Sequence, residues 1–211
     1  MDQTAFAKIS CEEFCRVLAS KEPAPGGGGA SALAGALAVS LGNMVGNLTV
    51  GKKKYAAYEE EITEANERAG RLRLRFLELI QEDGDSFAPL AAVYRLPSGT
   101  DEEKAEKNRR LQRALFDACI VPEQIMDCCM ETLDLVDIYE KKGSVMAVSD
   151  AAAAALLGKG ALMAAALNLR INARSMEDRE RAKEILDRME AKLVTGEALA
   201  DEIYRRALEK L

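Results

Sequence analysis

Residues 30–50 and 146–169 are dominated by small and aliphatic side chains, and these two stretches constrain the fold more than anything else in the chain. In the first, Leu33, Leu37, Leu41, Met44 and Leu48 recur along one helical face, while Ser31, Gly35, Gly42 and Gly46 recur along another. A stripe of small residues lets a second backbone come close. Both stretches approach the length of a membrane span, but Asn43 and Asn47 interrupt the first, and Asp150 and Lys159 the second. Helices that are apolar on every side lie in the interior, so these are expected at the buried centre of a helical bundle or dimer, with no membrane span.

The rest of the chain has the same helical period. Phe6, Ile9, Phe14, Val17 and Leu18 predict a first helix that stops before Pro23 and Pro25. A charged helix is expected from about Ala56 to Ile80 and another from about Asp83 to Tyr94, closed by Leu96-Pro97-Ser98-Gly99. Thr100 and Glu103 form a capping box for the next helix, which Pro122 should kink or restart. Gly143 after Lys141 and Lys142 marks a stop. A small-residue helix follows from about Ser149 to Ile171, and Ser175 with Asp178 opens the last one. There Ala182, Leu186, Met189, Leu193, Gly196, Ala200, Ile203 and Ala207 recur at nearly heptad spacing, which predicts a partner-facing stripe. No segment reads as a strand. The expected fold is an all-α antiparallel helical bundle of one domain over 1–211, dimerising through small-residue and heptad-like helix faces.

Charge and side-chain inventory narrow the function. A net charge of −6 argues against a general binder of nucleic acid or anionic membrane. The chain has no histidine, which excludes Ser-His-Asp and Cys-His nucleophile systems and an imidazole acid or base. The five cysteines, at 11, 15, 119, 128 and 129, lack zinc-site spacing and read as reduced, mostly core residues, with no metal site expected. Met1-Asp2-Gln3-Thr4 lacks the layout of a secretory signal, so a cytoplasmic protein is expected.

One segment points to an anionic ligand. Pro23-Ala-Pro leads into Gly26–Gly29, and the helix that follows ends near Gly51-Lys52-Lys53-Lys54-Tyr55. Glycines at a helix start expose backbone N–H donors, and clustered lysines suit carboxylates or phosphates. Gly46 to Lys52 also matches the spacing of a P-loop, but Lys53 stands where magnesium's Ser or Thr ligand belongs, and no strand precedes it. Ser149 and Asp150 read first as caps for the alanine run, with Asp150 also able to orient a ligand or a water. Asp83 and Asp85 fall between two helical patterns and read as caps as well. Asn168 and Asn172, four apart, share a helix face.

In combination these pieces resemble one family. Pro23-Ala-Pro-Gly-Gly-Gly, Asn47-Leu-Thr-Val-Gly-Lys-Lys-Lys-Tyr55, Glu82-Asp83 followed by Phe87, Pro122, Ala147-Val-Ser-Asp150 and Asn168 through Asn172 occur in the order found in the formimidoyltetrahydrofolate cyclodeaminase and methenyltetrahydrofolate cyclohydrolase family. The resemblance covers nearly the whole chain. It implies an all-α, homodimeric, cytosolic enzyme of folate one-carbon metabolism that works without metal or organic cofactor on a tetrahydrofolate derivative. Methenyltetrahydrofolate cyclohydrolase is the leading reading; formimidoyltetrahydrofolate cyclodeaminase, or a non-catalytic folate-binding helical dimer, are the alternatives. By that resemblance Asp83 is the candidate general acid/base, Asp150 the charge stabiliser or second proton-transfer group, and Lys52 a proton donor or clamp. Gly26, Gly27 and Gly28 would meet the ligand by backbone, Lys53 and Lys54 would receive its glutamate carboxylates, and Ser149 and Asn172 would orient it. The sequence departs from the family's pattern at Gly29 and Ala30, where many members have Ser-Val, at Ser144 and Met146, where asparagines are common, and at Ala152, which replaces a glycine.

Overall fold

The computed structural model describes residues 6–211 and contains no strand among them. Six helices follow in order: α1 (Cys11–Leu18), α2 (Gly27–Asn47), α3 (Glu59–Tyr94), α4 (Asp101–Lys142), α5 (Val148–Arg174) and α6 (Arg179–Leu208). Short 3-10 turns lie at Phe6–Lys8, Lys53–Tyr58 and Val145–Ala147. Met1-Asp2-Gln3-Thr4 lies outside the described residues.

The two small-residue helices, α2 and α5, pack on each other at the centre, with α3 and α4 against α2, and α4 and α6 against α5. Phe76, Leu79, Ile125, Met126, Leu133, Leu162 and Leu169 are fully buried between them. The glycine stripe of α2 faces inward: a Cβ on Gly35 would stand 2.3 Å from the Phe76 ring. Without side chains there, the aromatic packs directly on the helix backbone.

Several expected boundaries shift, each for a local reason. The first apolar pattern divides into the turn Phe6–Lys8 and α1, because Ser10 caps α1 by accepting a hydrogen bond from the Glu13 N–H at 3.1 Å. Two expected charged helices form one, α3, so Asp83 and Asp85 are interior helix residues and cap neither end. α4 likewise runs through Pro122. The proline deprives the Ala118 carbonyl of its helical donor, and the Asn172 side-chain N–H donates to that oxygen at 2.9 Å instead. α5 begins one residue before Ser149; Ser149 and Asp150 lie in its first turn, and neither is its N-cap. Ser175 closes α5 and Asp178 caps α6. The capping box of Thr100 and Glu103 and the stop at Gly143 are present.

The heptad-like stripe of α6 requires a larger correction. Ala182, Met189, Leu193, Gly196, Ala200, Ile203 and Ala207 are buried within the chain. A Cβ on Gly196 would stand 2.4 Å from Leu162. This stripe packs on the chain's own α5 and α4 and is not the uncovered face. The apolar side chains left exposed include Leu37 and Met44 on α2, Leu48 at its C-cap, and Leu156, Met163, Leu167 and Ile171 on α5. By length and composition α2 and the segment Val145–Arg174 are the two helices apolar enough to cross a membrane, and about half of each lies inside the fold, 56% and 50%.

The cysteines meet the expectation of a mostly core set in part. All are free, Cys119 and Cys129 are buried and Cys128 is half-buried, but Cys11 and Cys15 are exposed on α1. Burial pushes the Cys119 and Cys128 thiols up to about 11 and Cys129 higher still, so none of these three supplies a thiolate nucleophile at neutral pH.

Candidate active site

The start of α2 is built around a carboxylate. Gly27, Gly28 and Gly29 form its first turn, where N–H groups have no helical acceptor. Asp83, projecting from the middle of α3, accepts the Gly29 N–H at 2.9 Å. A Cβ on Gly28 would stand 2.0 Å from the Asp83 Oδ1, so only glycine admits the carboxylate here. The positive end of the α2 dipole favours a carboxylate at that place. Burial outweighs the Gly29 hydrogen bond, and the Asp83 carboxyl is raised above its ordinary value of 3.8. A half-buried carboxylate with a raised pKa beside a cavity suits general acid/base work.

That cavity has a volume of about 290 Å³, and Gly26, Gly27, Gly28, Asp83, Phe87, Asn168 and Asn172 contribute to its wall. Phe87 lies one turn beyond Asp83 on α3, and Asn168 and Asn172 are successive turns of α5. Both amides are also used within the fold. The Asn168 side-chain N–H donates to the Ala164 carbonyl at 3.1 Å, and that of Asn172 holds the carbonyl freed by Pro122. The side-chain oxygen and the second N–H of each amide are left for a ligand. Glu82, next to Asp83, is turned away and held by Arg75 at 2.6 and 2.9 Å.

Gly29 does not line this cavity. A Cβ there would point at Pro25 and the Ile80 carbonyl, 3.2 and 3.6 Å away. The missing hydroxyl at this position therefore strips nothing from the cavity wall.

The remaining candidates lie elsewhere. Lys52, Lys53 and Lys54 follow the far end of α2, and Ser149 and Asp150 occupy the first turn of α5, which runs antiparallel beside it. Along either helix the separation from the Asp83 cavity is roughly 30 Å at 1.5 Å per residue. The structure brings Gly26, Gly27, Gly28, Asp83 and Asn172 together and places the lysines, Ser149 and Asp150 in a second cluster. Lys52 reaches Ser144 Oγ at 3.5 Å, and the Ser144 N–H donates to Thr49 Oγ1 at 2.7 Å. The Val145 N–H donates to the Tyr55 hydroxyl at 3.1 Å, a bond that lowers the phenol's pKa. Gly51 has φ +78°, a left-handed conformation suited to glycine, and the Glu59 carboxylate accepts its N–H at 3.0 and 3.1 Å. A loop whose N–H is already held by a carboxylate, and which leaves a helix, is not a phosphate-binding P-loop. Among the described residues Lys52, Lys53 and Lys54 form no ion pair.

Sequence reasoning passed over Thr49, Tyr55 and Ser144 as supports of the lysine cluster. Their signals were membership of the Asn47–Tyr55 motif for Thr49 and Tyr55, and a departure from the family pattern for Ser144, neither of which indicates support of the lysine cluster. The spacing of Asn168 and Asn172 did show that they share a face, and they do.

The formiminotransferase-cyclodeaminase family profile matches residues 10–191. The chain is 40% identical to a methenyltetrahydrofolate cyclohydrolase of Methylorubrum extorquens, over 95% of this chain and 96% of that protein. The chain belongs to this family. It is also 26% identical to a formimidoyltransferase-cyclodeaminase of Rattus norvegicus, over 83% of this chain but only 32% of that larger protein. A crystal structure of a formiminotetrahydrofolate cyclodeaminase from Thermotoga maritima superposes with a TM-score of 0.80 at 27% identity, covering 97% of this chain and 96% of that one. The Thermotoga maritima protein therefore shares this chain's fold as well as its sequence pattern.

Proposed function

We infer that the chain is a folate one-carbon enzyme, a methenyltetrahydrofolate cyclohydrolase, with the cavity between α2, α3 and α5 as its reaction centre. The observation that carries this reading is Asp83, a carboxylate with a raised pKa set on the α2 N-terminus at the wall of that cavity. The 40% identity to a cyclohydrolase over nearly its full length supports the same choice.

The chemistry follows from the residues. The 5,10-methenyl bridge carries a delocalised positive charge, which an adjacent carboxylate stabilises. Water adds to the bridge carbon as Asp83 takes its proton. The carbinolamine then opens, the bond from carbon to N5 breaks, and N5 receives a proton, leaving 10-formyltetrahydrofolate and one proton released to solvent overall. The side-chain oxygens of Asn168 and Asn172 accept from pterin N–H groups, and Phe87 packs on its ring. No metal or organic cofactor is required for these transfers. The working form is a cytoplasmic homodimer, in which the lysines receive the glutamate carboxylates and Asp150 balances charge near them.

Loss of methenyltetrahydrofolate absorbance on mixing with the purified protein tests the proposal, and Asp83→Asn should abolish it while helical content and particle mass stay unchanged. Near-normal kcat in that variant would remove Asp83 from the mechanism. The alternative, cyclodeaminase activity, is favoured by the Thermotoga maritima likeness and predicts ammonia release from formimidoyltetrahydrofolate by the same protein. Binding of folate with neither reaction would identify a non-catalytic dimer.

A further inference from the structure

The cavity wall carries a polar side chain that the reaction above leaves unused. Ser86 follows Asp83 by three residues and precedes Phe87, so all three share one face of α3. Among the described residues lining the cavity, Ser86 has the only hydroxyl. Its single proton is already committed, since Oγ donates to the Asp83 backbone carbonyl at 3.0 Å. What it presents to the cavity is therefore acceptor capacity alone. The helix gains little from a serine here, because alanine is the better helix former and a hydroxyl bonded back to the preceding turn slightly weakens a helix.

The neighbouring carboxylate offers a second free acceptor. Asp83 Oδ2 takes the Gly29 N–H, whereas among the described residues Oδ1 has no donor and is not sealed from the cavity. Side chains one helical turn apart have Cβ atoms about 5–6 Å from each other. A water about 2.8 Å from each of two such oxygens bridges that gap. With one proton on Asp83 and the other on Ser86, the water's orientation is fixed and a lone pair points into the cavity.

Resting on the folate reading above, we propose that Ser86 is a catalytic residue that holds, together with Asp83 Oδ1, the water attacking the methenyl bridge. The water oxygen bonds to the bridge carbon as the proton held by Asp83 passes to Oδ1. The other proton stays on that oxygen, hydrogen-bonded to Ser86, in the neutral carbinolamine. Asp83 then returns its proton to N5 as the carbon–N5 bond breaks and its electron pair goes to N5. The hydroxyl proton leaves to solvent as the formyl C=O forms. Ser86 neither gains nor loses a proton; it sets the direction of attack. In the cyclodeaminase reaction N10 is the nucleophile and ammonia leaves, so no water has to be held. The hydroxyl is thus a group that hydrolysis needs and deamination does not.

Ser86→Ala tests this in steady-state hydrolysis of methenyltetrahydrofolate. kcat should fall about 10- to 100-fold with KM unchanged, because the lost contact orients water and binds no part of the folate. The acid limb of the pH profile should keep its wild-type midpoint, since Asp83 retains its burial and its Gly29 hydrogen bond. The melting temperature should not drop. Any ammonia release from formimidoyltetrahydrofolate should keep its wild-type rate.

Four results would overturn the assignment. Wild-type kinetics would leave Ser86 a helix residue only, and a raised KM with unchanged kcat would make it a pterin contact. A fall in kcat joined to a displaced midpoint and a lower melting temperature would mean that the variant acts by moving Asp83. An equal loss in hydrolysis and ammonia release would remove the role in holding water. Wild-type protein that hydrolyses no methenyltetrahydrofolate removes the folate reading and this assignment with it, whereas active wild type with an unimpaired Ser86→Ala removes the assignment alone.

Discussion

The two ends of α2 are built on opposite principles. At its start, a half-buried carboxylate from another helix fits into space that only glycine leaves open, and the contact closes the helix end as well as lining the cavity. At its finish, three exposed lysines project from a turn whose shape is fixed elsewhere, by the left-handed Gly51 and the carboxylate of Glu59. Function and stability are therefore joined at the first end and separable at the second.

Gly28→Ala is the strongest challenge to that contrast. The new Cβ must displace the Asp83 carboxylate or the first turn of α2, and kcat should fall about 100-fold for a shift of about an ångström. Urea unfolding should register a loss of about 1–3 kcal/mol from the same overpacking. Unchanged stability would show that the cavity end carries no part of the fold. Asn172→Leu comes next, since it orphans the Ala118 carbonyl and should cost about 1–3 kcal/mol. Adding Pro122→Ala restores a helical N–H to that carbonyl, so the double variant should recover much of the loss, a coupling that a double-mutant cycle measures.

The pH dependence sharpens the contrast further. The raised Asp83 carboxyl means the folded chain binds more protons than the unfolded one between 3.8 and its folded pKa. Its contribution to stability therefore falls as pH rises through that window. Asp83→Asn should remove this slope from urea titrations between pH 4 and 7. In the wild type, turnover should fall on the acid side with a midpoint above 3.8, because the base must be ionised.

At the lysine end the effects are smaller and divided. Lys53→Ala and Lys54→Ala should raise KM with little change in kcat, and shift stability by less than about 0.5 kcal/mol as exposed, unpaired groups do. Glu59→Ala should cost about 0.5–1 kcal/mol through the Gly51 N–H it leaves to water. Losses of stability here as large as at Gly28 would break the distinction between the ends.

How much was legible beforehand follows from the range of each interaction. The helices, the capping box at Thr100, the stop at Gly143 and the shared face of Asn168 and Asn172 rest on residues three or four apart, and each was readable as spacing. Asp83 reads as a cap because it falls between two helical patterns along the chain. What keeps α3 continuous there is packing against α2, 54 residues earlier. Pro122 looked like a break for a similar reason, since the amide that satisfies its orphaned carbonyl comes from α5.

Sequence by itself determined an all-helical chain, two charge-free or nearly charge-free central helices, and a chemistry restricted to carboxylates, lysines, amides and backbone donors, because periodicity and side-chain inventory are local properties. Only the tertiary structure decided which stripe stays uncovered, and that the candidate residues divide between two ends of one face. A small-residue stripe and a leucine stripe are both apolar in the sequence. Which of them meets the chain's own core depends on how closely Phe76 and Leu162 can approach a glycine, a contact between residues far apart along the chain.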